Sequence, residues 1–343
     1  MKRVAILGAT GIVGQQAMVA LRGHPDFRVD CLAASERSAG KPYVEAISRN
    51  GVVGWYADGG VPQEFRDVVV RDAASLDARD FDVVFSCLES DAARVLEPKF
   101  AEHCAVISTA SAFRCEADVP LIIPQVNPQH SELISVQRSN RGWQGFIAPI
   151  PNCTTTGLAI TLKPLDDAFR LKSVVMVSAQ AVSGAGRSPG VVALDVIDNV
   201  IPFISGEEEK VERETNKILG RPFPVSCTCT RVPVLEAHFE SVFASFEETP
   251  TVEGAVAALE GFAPAVRTRS TPERLIKVFS DPSRPQPRLD RDEGGGLTTC
   301  VGRVRQDSVL GLKYVLLSHN TRMGAAAGAV WLAELLEAQG FIA

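Results

Sequence analysis

The chain reads as an α/β protein: a doubly wound parallel sheet joined to an α+β second domain. Three observations predict this. A glycine-rich loop, GATGIVG, follows the apolar run RVAIL and precedes a helix-patterned segment. Strand-like and helix-like segments then alternate up to residue 150, as they do in a parallel sheet covered by helices on both faces. Beyond that point the alternation gives way to longer strands with fewer helices between them.

Taken in order, Arg3 to Leu7 form a short buried strand, GATGIVG a tight loop, QQAMVALRGH a helix and FRVDCLAAS a second strand. That is the β–loop–α–β opening of a doubly wound sheet. FDVVFSCL (81–88) and CAVIST (104–109) read as further buried strands. Between them DAARVLEPKFAEH has Ala92, Val95, Leu96 and Phe100 at helical spacing. In the second half, LKSVVMVSAQAV (171–182) is a long apolar strand that suits burial on both faces. HFESVFASFEE (238–248) and LKYVLLSH (312–319) are later strands, and TVEGAVAALEGF (251–262) is a helix between them. Together they predict a mostly antiparallel sheet. SDPSRPQPRLDRDEGGG (280–296) reads as a surface loop. The last stretch, TRMGAAAGAVWLAELLEAQ, is a strong helix with Val330, Leu332 and Leu335 among its apolar positions. The expected division is 1–150 with 320–343, and 151–319.

A chain of 343 residues, 45% hydrophobic and 22% charged, is long enough for two cores. No apolar run reaches the length of a membrane span. The opening MKRVAILGAT breaks at Gly8, too early for a signal peptide, so a cytoplasmic protein is expected. A net charge of −6 argues against a nucleic-acid partner. The eight cysteines include no CxxC pair, and Cys227 and Cys229 stand one residue apart, so no metal site is expected.

GATGIVG places glycines at 8, 11 and 14. A loop that turns tightly after a strand, and then lets its backbone approach a pyrophosphate at a helix N-terminus, needs residues without Cβ. The strand before and the helix after make this a dinucleotide site. In ASERSAGK, Ser35, Arg37 and Ser38 suit a 2′-phosphate, and Lys41 adds charge. Glu36 would instead suit an NAD ribose. NADP is the expectation.

Cys153 stands in IPNCTTTGLAI, before threonines that suit a helix cap and an apolar run that suits a helix. A helix N-terminus favours the thiolate, the nucleophilic form, and its amides can hold an oxyanion. A packed, inert thiol is the alternative. Of the five histidines, at 24, 103, 130, 238 and 319, His238 stands apart. It follows Arg231 by seven residues in TRVPVLEAHFESV. Pro233 breaks any helix there, so a turn leading into a strand would bring both side chains to one cleft. His24 and His103 read as residues at helix ends.

The motifs GATGIVG, ASERSAGK, SAFR, PNCTT, SAQAVSGAG, GEEEK, RVPV…AH and HNTRMGAAAGA occur in this order over nearly the whole chain. In this the chain resembles the aspartate-β-semialdehyde dehydrogenases, most closely their archaeal and fungal branch. The resemblance implies a Rossmann-type NADP-binding domain and a catalytic and dimerisation domain like that of glyceraldehyde-3-phosphate dehydrogenase. One departure is Ala237, where the family usually has glycine before the histidine.

The resemblance also implies roles. Cys153 attacks the carbonyl carbon, and His238 takes and returns the proton. The intermediate passes hydride to NADP, and phosphate releases the resulting thioester as aspartyl phosphate. In the cell the reaction would run in reverse, toward the semialdehyde, in the aspartate-derived amino-acid pathway. Gln180 orients the acyl intermediate, and Asn152 helps bind the substrate carbonyl or the nicotinamide. Arg231 pairs with the substrate carboxylate, as a guanidinium can do bidentately. Arg114 and Lys210 bind phosphate, and Glu207 holds the substrate amine. On residue types alone, GEEEK would be a solvated helix start. The implied cofactor residues are Gly8, Thr10, Gly11, Ile12, Val13, Gly14, Ser35, Arg37, Ser38, Cys87, Ser111, Gly184 and Asn320, with Thr321 beside the last. Homodimers or dimers of dimers are implied, paired through the second domain.

The nearest rival reading is malonyl-CoA reductase on the same scaffold. It would keep Cys153 and His238 but would not need Glu207 for an amine. N-acetylglutamyl-phosphate reductase is more distant, since its cysteine neighbourhood differs from PNCTT. A cofactor-sensing protein without catalysis would have no need of the cysteine and histidine that are both present here.

Overall fold

The computed structural model describes residues 1–186, 190–264 and 266–342. The chain forms two compact units. Unit 1 comprises 1–122, 129–150 and 325–343, and unit 2 comprises 123–128 and 151–324.

Unit 1 opens with β1 (Lys2–Leu7), α1 (Ile12–Leu21) and β2 (Phe27–Ala34), followed by the short helix α2 (Tyr43–Ile47). A two-stranded ribbon, β3 (Ser48–Arg49) and β4 (Val52–Val53), and the short β5 (Arg71–Asp72) come next. Then come β6 (Val83–Ser86), α3 (Ser90–Ala101), β7 (Ala105–Ser108), α4 (Leu133–Arg141) and β8 (Phe146–Pro149). The main sheet has the order β5-β2-β1-β6-β7-β8, and every pairing is parallel. The chain moves outward from β1 in both directions, which puts the topological switch beside β1, where such sheets bind ligands. β6 and β7 are buried at every position, as strands covered on both faces must be.

Two details of unit 1 differ from the sequence reading. Helix α1 starts at Ile12 rather than after the glycine loop, so Gly14 is a helical residue. Helix α3 turns Ala93, Glu97, Phe100 and Ala101 inward, while Val95 is 61% exposed and Ala92 faces solvent. Apolar spacing misjudged the face because a buried glutamate occupies one of the inner positions. Glu97 takes a hydrogen bond from Ser108 on β7. Burial lifts its pKa to about 7, while the Ser108 and Ser86 hydroxyls and the Arg114 charge oppose the rise. His24 does not cap α1. Its Nδ1 accepts from the amides of Asp26 and Phe27, and its Nε2 lies 3.0 Å from Glu334.

Unit 2 begins with α5 (Cys153–Phe169) and β9 (Leu171–Gln180). It continues with α6 (Ala193–Val196), α7 (Glu207–Leu219), β10 (Val225–Arg231), β11 (His238–Phe246), α8 (Val252–Glu260) and β12 (Ile276–Phe279). It ends with α9 (Pro287–Asp290), β13 (Thr299–Asp307) and β14 (Gly311–Ser318). The sheet order is β10-β9-β11-β14-β13-β12. It is mixed: the three central pairings are antiparallel and the two edge pairings parallel. β9 alternates along its length instead of burying both faces. Val174 and Met176 point inward, whereas Val175 and Val177 are 39% and 41% exposed. Helix α5 packs on the inner face, where a Cβ on Gly157 would come within 2.7 Å of Ser318 Cβ. Its residues Thr154 to Leu162 are all buried.

Strand β10 has no apolar signature, yet its period explains the CxC spacing. Cys227, Cys229 and Arg231 alternate onto one buried face. Burial pushes the Cys229 thiol up to about 12 and raises Cys227 as well, so both are inert at neutral pH. β10 is an edge strand, and α7 covers it. Glu212 and Glu208 accept from the amides of Cys227 and Cys229 at 3.1 and 2.9 Å. The acidic start of α7 is therefore a cover for an exposed edge as well as a helix terminus. The loop at 280–296 contains α9, and Arg284 pairs there with the buried Asp290.

Finally α10 (Ala326–Ala338) returns to unit 1. Trp331, Leu332, Leu335 and Leu336 are at most 1% exposed, each contributing roughly 2 kcal/mol of burial. The preceding residues 320–324, assigned from sequence to the first domain, belong to unit 2.

Candidate active site

Strand register brings three distant side chains to one end of the unit 2 sheet. Arg231, the last residue of β10, pairs with Gln180, the last of β9. β11 runs the opposite way and pairs Phe239 with Ala179, so His238 begins beside that same end. The expected turn between Arg231 and His238 is the connection between these two strands. Gly184 lies over both residues. A Cβ there would be 2.9 Å from Arg231 Nη1 and 3.1 Å from His238 Cε1. Its closeness to Arg231 and His238 leaves no room for a side chain.

Cys153 is the first residue of α5, with Asn152 as N-cap. Its sulfur is 3.1 Å from His238 Nε2. Gly324 packs against it: a Cβ at 324 would lie 2.5 Å from Cys153 Cβ. Two positive influences meet at the sulfur, the N-terminus of α5 and the Arg231 guanidinium. Burial lowers the Arg231 pKa, while the charges of Cys153 and Glu207 raise it. A guanidinium remains charged through such shifts. Arg231 Nη1 donates to the Ala181 carbonyl at 2.8 Å and reaches Gln180 Oε1 at 3.5 Å. Gln180 in turn donates to Ser178 Oγ at 3.2 Å.

His238 is fully buried. Burial first, then the charges of Arg231 and His319, lower its pKa to about 3, so the ring is neutral at working pH. Its Nδ1 accepts the Ala181 amide at 3.1 Å.

Two expected ligand residues also hold groups of the protein itself. Asn152 Oδ1 accepts from the amides of Thr154 and Thr155, and its Nδ2 donates to Glu207 Oε1 at 2.9 Å. Its Oδ1 caps α5, and one of its two Nδ2–H donors holds Glu207. Asn320 Oδ1 accepts from the Ala237 amide, and its Nδ2 donates to Ser183 Oγ, both at 2.8 Å. It braces the residue before the histidine. Thr321 and Ser183 both donate to Glu236, which completes that brace.

Glu207 is buried at the start of α7, and its Oε2 lies 3.9 Å from Lys210 Nζ. The ammonium of Lys210 is half-exposed. The sequence reading missed Glu240, one position further along the inner face of β11. Both its carboxyl oxygens are buried, with no hydrogen-bond partner among the described residues. Burial, and then the Glu207 charge, raise its pKa well above the usual carboxylate range. No local motif marks it.

In unit 1 the glycine loop has the geometry its sequence predicts. Gly8 has φ +76°, and a Cβ there would be 2.4 Å from the Cys87 carbonyl oxygen. A Cβ on Gly14 would be 2.3 Å from Gly8 O, which fixes the close packing of α1 on the loop. Gly11 is the N-cap of α1, and a Cβ there meets only Gly8 O, at 3.4 Å. This is a cradle of backbone around a helix N-terminus, running from Thr10 through Ile12 and Val13, and it fits a pyrophosphate. Ser35, Arg37 and Ser38 lie in the turn after β2, with Glu36 and Arg37 exposed and Lys41 bonded to the Arg37 carbonyl. Cys87 follows β6, and its thiol is pushed up to about 12 by burial and by Glu97. Ser111 is bonded to Ser90. Arg114 is buried in unit 1 and donates to the Thr109 carbonyl at 2.8 Å. Among the described residues no His, Cys, Asp and Glu cluster could hold a metal ion.

Comparisons with known proteins agree with this geometry. A semialdehyde dehydrogenase NAD binding domain matches residues 3–134, and a semialdehyde dehydrogenase dimerisation domain matches 162–323. The aspartate-semialdehyde dehydrogenase of Archaeoglobus fulgidus is 48% identical over 97% of each chain. That of Saccharomyces cerevisiae is 40% identical over 99% of each. The crystal structure of the Candida albicans aspartate semialdehyde dehydrogenase with NADP superposes with a TM-score of 0.89, at 39% identity over the whole of both chains. These relatives give the malonyl-CoA reductase alternative no support.

Proposed function

The chain belongs to the aspartate-semialdehyde dehydrogenase family, and from that premise we propose how its residues share the work. It catalyses the NADP-dependent reductive dephosphorylation of L-aspartyl-4-phosphate to L-aspartate 4-semialdehyde, reversibly and through a thioester. This is a step of amino-acid biosynthesis. The observation that carries the assignment of residues is the 3.1 Å approach of Cys153 Sγ to His238 Nε2, beside Arg231 and Gln180 at one end of the sheet.

Cys153 forms the bond to the acyl carbon, with its sulfur held at the positive end of α5. Arg231 receives the substrate carboxylate, and its backbone bond to Ala181 fixes the orientation of the guanidinium. Gln180, anchored by Ser178 and Arg231, orients the acyl group. Glu207 takes the substrate amine, and Asn152 sets its position. Lys210 and Arg114 supply cations for the phosphate. NADP, held by the glycine loop and by Ser35, Arg37 and Ser38, supplies the hydride.

The protein assembles as an oligomer, and we infer a homodimer or a dimer of dimers. The outer face of the unit 2 sheet exposes Val175 and Val177, and Leu194 and Phe203 of the same unit are also exposed. An apolar surface of this kind suits a second copy of the chain. Among the described residues no helix is long and apolar enough to cross a membrane, and a cytoplasmic enzyme fits its nucleotide cofactor.

The test is NADPH formation from L-aspartate semialdehyde with and without phosphate. Phosphate-dependent turnover is expected. Its absence from a folded protein that binds NADP would overturn the assignment.

A further inference from the structure

We propose that Glu97 is a positioning residue for Arg114: it holds the turn after β7 from beneath, and its proton sets how fully the Arg114 charge is offered to phosphate. The proposal rests on the assignment of Arg114 to phosphate given above.

The argument starts from where the carboxyl lies. Glu97 stands on α3 and has no exposed surface. The hydroxyl of Ser108, the last residue of β7, donates to it. The same Ser108 oxygen accepts from the Ala110 amide at 3.1 Å. The carboxyl is thus linked through one hydroxyl to the main chain of the turn at 109–114, at the end of the parallel sheet where such sheets bind ligands. That turn carries Ser111 and Arg114. Ser111 bonds to Ser90, the first residue of α3. Arg94, one helical turn before Glu97, donates to the Ala112 carbonyl at 2.8 Å. Arg114 Nη2 donates to the Thr109 carbonyl at 2.8 Å, which fixes the direction of its guanidinium. Helix α3 therefore holds the turn through Ser90, Arg94 and Glu97, and of these only Glu97 can change charge near neutrality.

The electrical surroundings single out Arg114. On α3 itself, Arg94 lies over the Phe113 ring and near Glu116, while Asp91 and Lys99 face solvent. β6 ends in Ser86 and is followed by Cys87, whose thiol is kept protonated by burial and by Glu97. β8 brings no titratable group. In the turn at 78–80, Asp80 is exposed, and Arg79 is exposed and paired with Asp77. Arg114 is the cation that acts on the carboxyl. Burial lifts Glu97 to about 7, against the Ser108 and Ser86 hydroxyls and the Arg114 charge, so both of its forms are present at neutral pH.

The two forms present Arg114 differently. An uncharged carboxyl leaves the field of the guanidinium to an incoming anion. A carboxylate takes part of that field and also repels the anion. Both effects have one sign, so phosphate binds better to the protonated form. By linkage, a bound anion holds the proton on Glu97 by the same factor.

The experiment uses the whole protein with 13C-labelled glutamate carboxyls, the Glu97 signal being assigned by comparison with Glu97→Gln. Its titration is followed with and without saturating sulfate, an anion that resembles phosphate but does not itself titrate near neutrality. Sulfate should raise the midpoint by about 0.7 pH unit, a factor of about five. The inhibition constant of sulfate against phosphate should weaken by the same factor of about five from about pH 6 to about pH 8.5 in the wild type, and not in Glu97→Gln. The KM for NADP should keep one pH profile in both proteins. A midpoint that sulfate leaves unmoved would overturn the proposal. So would a glutamine variant whose sulfate inhibition keeps its pH dependence, or one in which phosphate and NADP weaken alike, as a merely structural role requires. Arg114→Leu separates this proposal from the reading beneath it: a raised KM for phosphate in that variant keeps Arg114 in the phosphate site whatever Glu97 does. The titration needs no turnover, so it decides the role of Glu97 even if aspartate semialdehyde is not the substrate.

Discussion

The glycine loop of unit 1 and the sulfur centre of unit 2 are built from different materials. The loop is backbone: its amides, its φ of +76° at Gly8 and the close approach of Gly14 to Gly8 lie within one short run of residues, and only the approach of Gly8 to the Cys87 carbonyl reaches outside it. The sulfur centre is side chains. Cys153, Gln180, Glu207, Arg231 and His238 come from α5, β9, α7, β10 and β11. A backbone site must be contiguous in sequence, and so it leaves a motif. A side-chain site needs only a sheet register, and it can be scattered over some ninety residues without losing geometry.

The comparison predicts where damage is greatest. Cys153→Ser should lower phosphate-dependent NADPH formation by at least about a thousandfold, because a hydroxyl at a helix start is a far weaker nucleophile. NADP affinity, measured by fluorescence titration, should not change, since the loop is independent material. Residual activity near wild type would mean that the sulfur is not the acyl carrier.

Arg231→Lys should cost about a hundredfold in kcat/KM for the semialdehyde. Lysine cannot keep the fork that bonds Ala181 and Gln180 and also grip a carboxylate. Steady-state kinetics with the variant decide this, and unchanged constants would remove Arg231 from the substrate site.

A third prediction concerns the scaffold of unit 1. Glu97 has a pKa of about 7 in the fold, against about 4.3 in an unfolded chain. The protonated carboxyl therefore favours folding. That contribution is complete below the unfolded value and is lost as pH rises through about 7. Glu97→Gln keeps the shape without the charge. Relative to wild type, it should gain on the order of 3 kcal/mol in denaturant titrations above pH 7 compared with those at acid pH. A difference that does not vary with pH would place the Glu97 charge elsewhere.

Smaller effects follow. Arg37→Ala should weaken NADP binding about tenfold and leave NAD binding unchanged, since the exposed guanidinium has only the 2′-phosphate to meet. Equal weakening of both would return Glu36 to the ribose. Ala237→Gly should change the unfolding free energy by less than about 1 kcal/mol. Relief of the φ of +78° is nearly offset by the entropy of glycine and by loss of a methyl buried against Cys300 and Leu317. A large loss of stability would show that the methyl matters more than the backbone angle.

What was legible in the sequence follows the same division. RVAIL, GATGIVG and FRVDCLAAS could be placed because burial on both faces, turning and close packing each demand particular residues locally. The Cys153 helix start was legible for the same reason, since caps are chosen by neighbours. Strand β10 was not, because VSCTCTR alternates small and polar residues that gain their burial from α7 and the neighbouring β9. The inward face of α3 was misjudged because Glu97 finds its hydroxyl partner on a different strand. Asn152 and Asn320 were drawn from family motifs, and only the folded chain shows that their amides also hold Glu207 and the Ala237 backbone.

The sequence by itself determined the fold class, the glycine loop and the helix start at Cys153, because each is a property of neighbouring residues and of chain stereochemistry. The tertiary structure decided which groups surround the sulfur and the burial that keeps His238 neutral. The physical reason is separation. The amide that donates to His238 Nδ1 belongs to Ala181, fifty-seven residues away, and only the pairing of β9 with β11 brings the two into hydrogen-bonding distance.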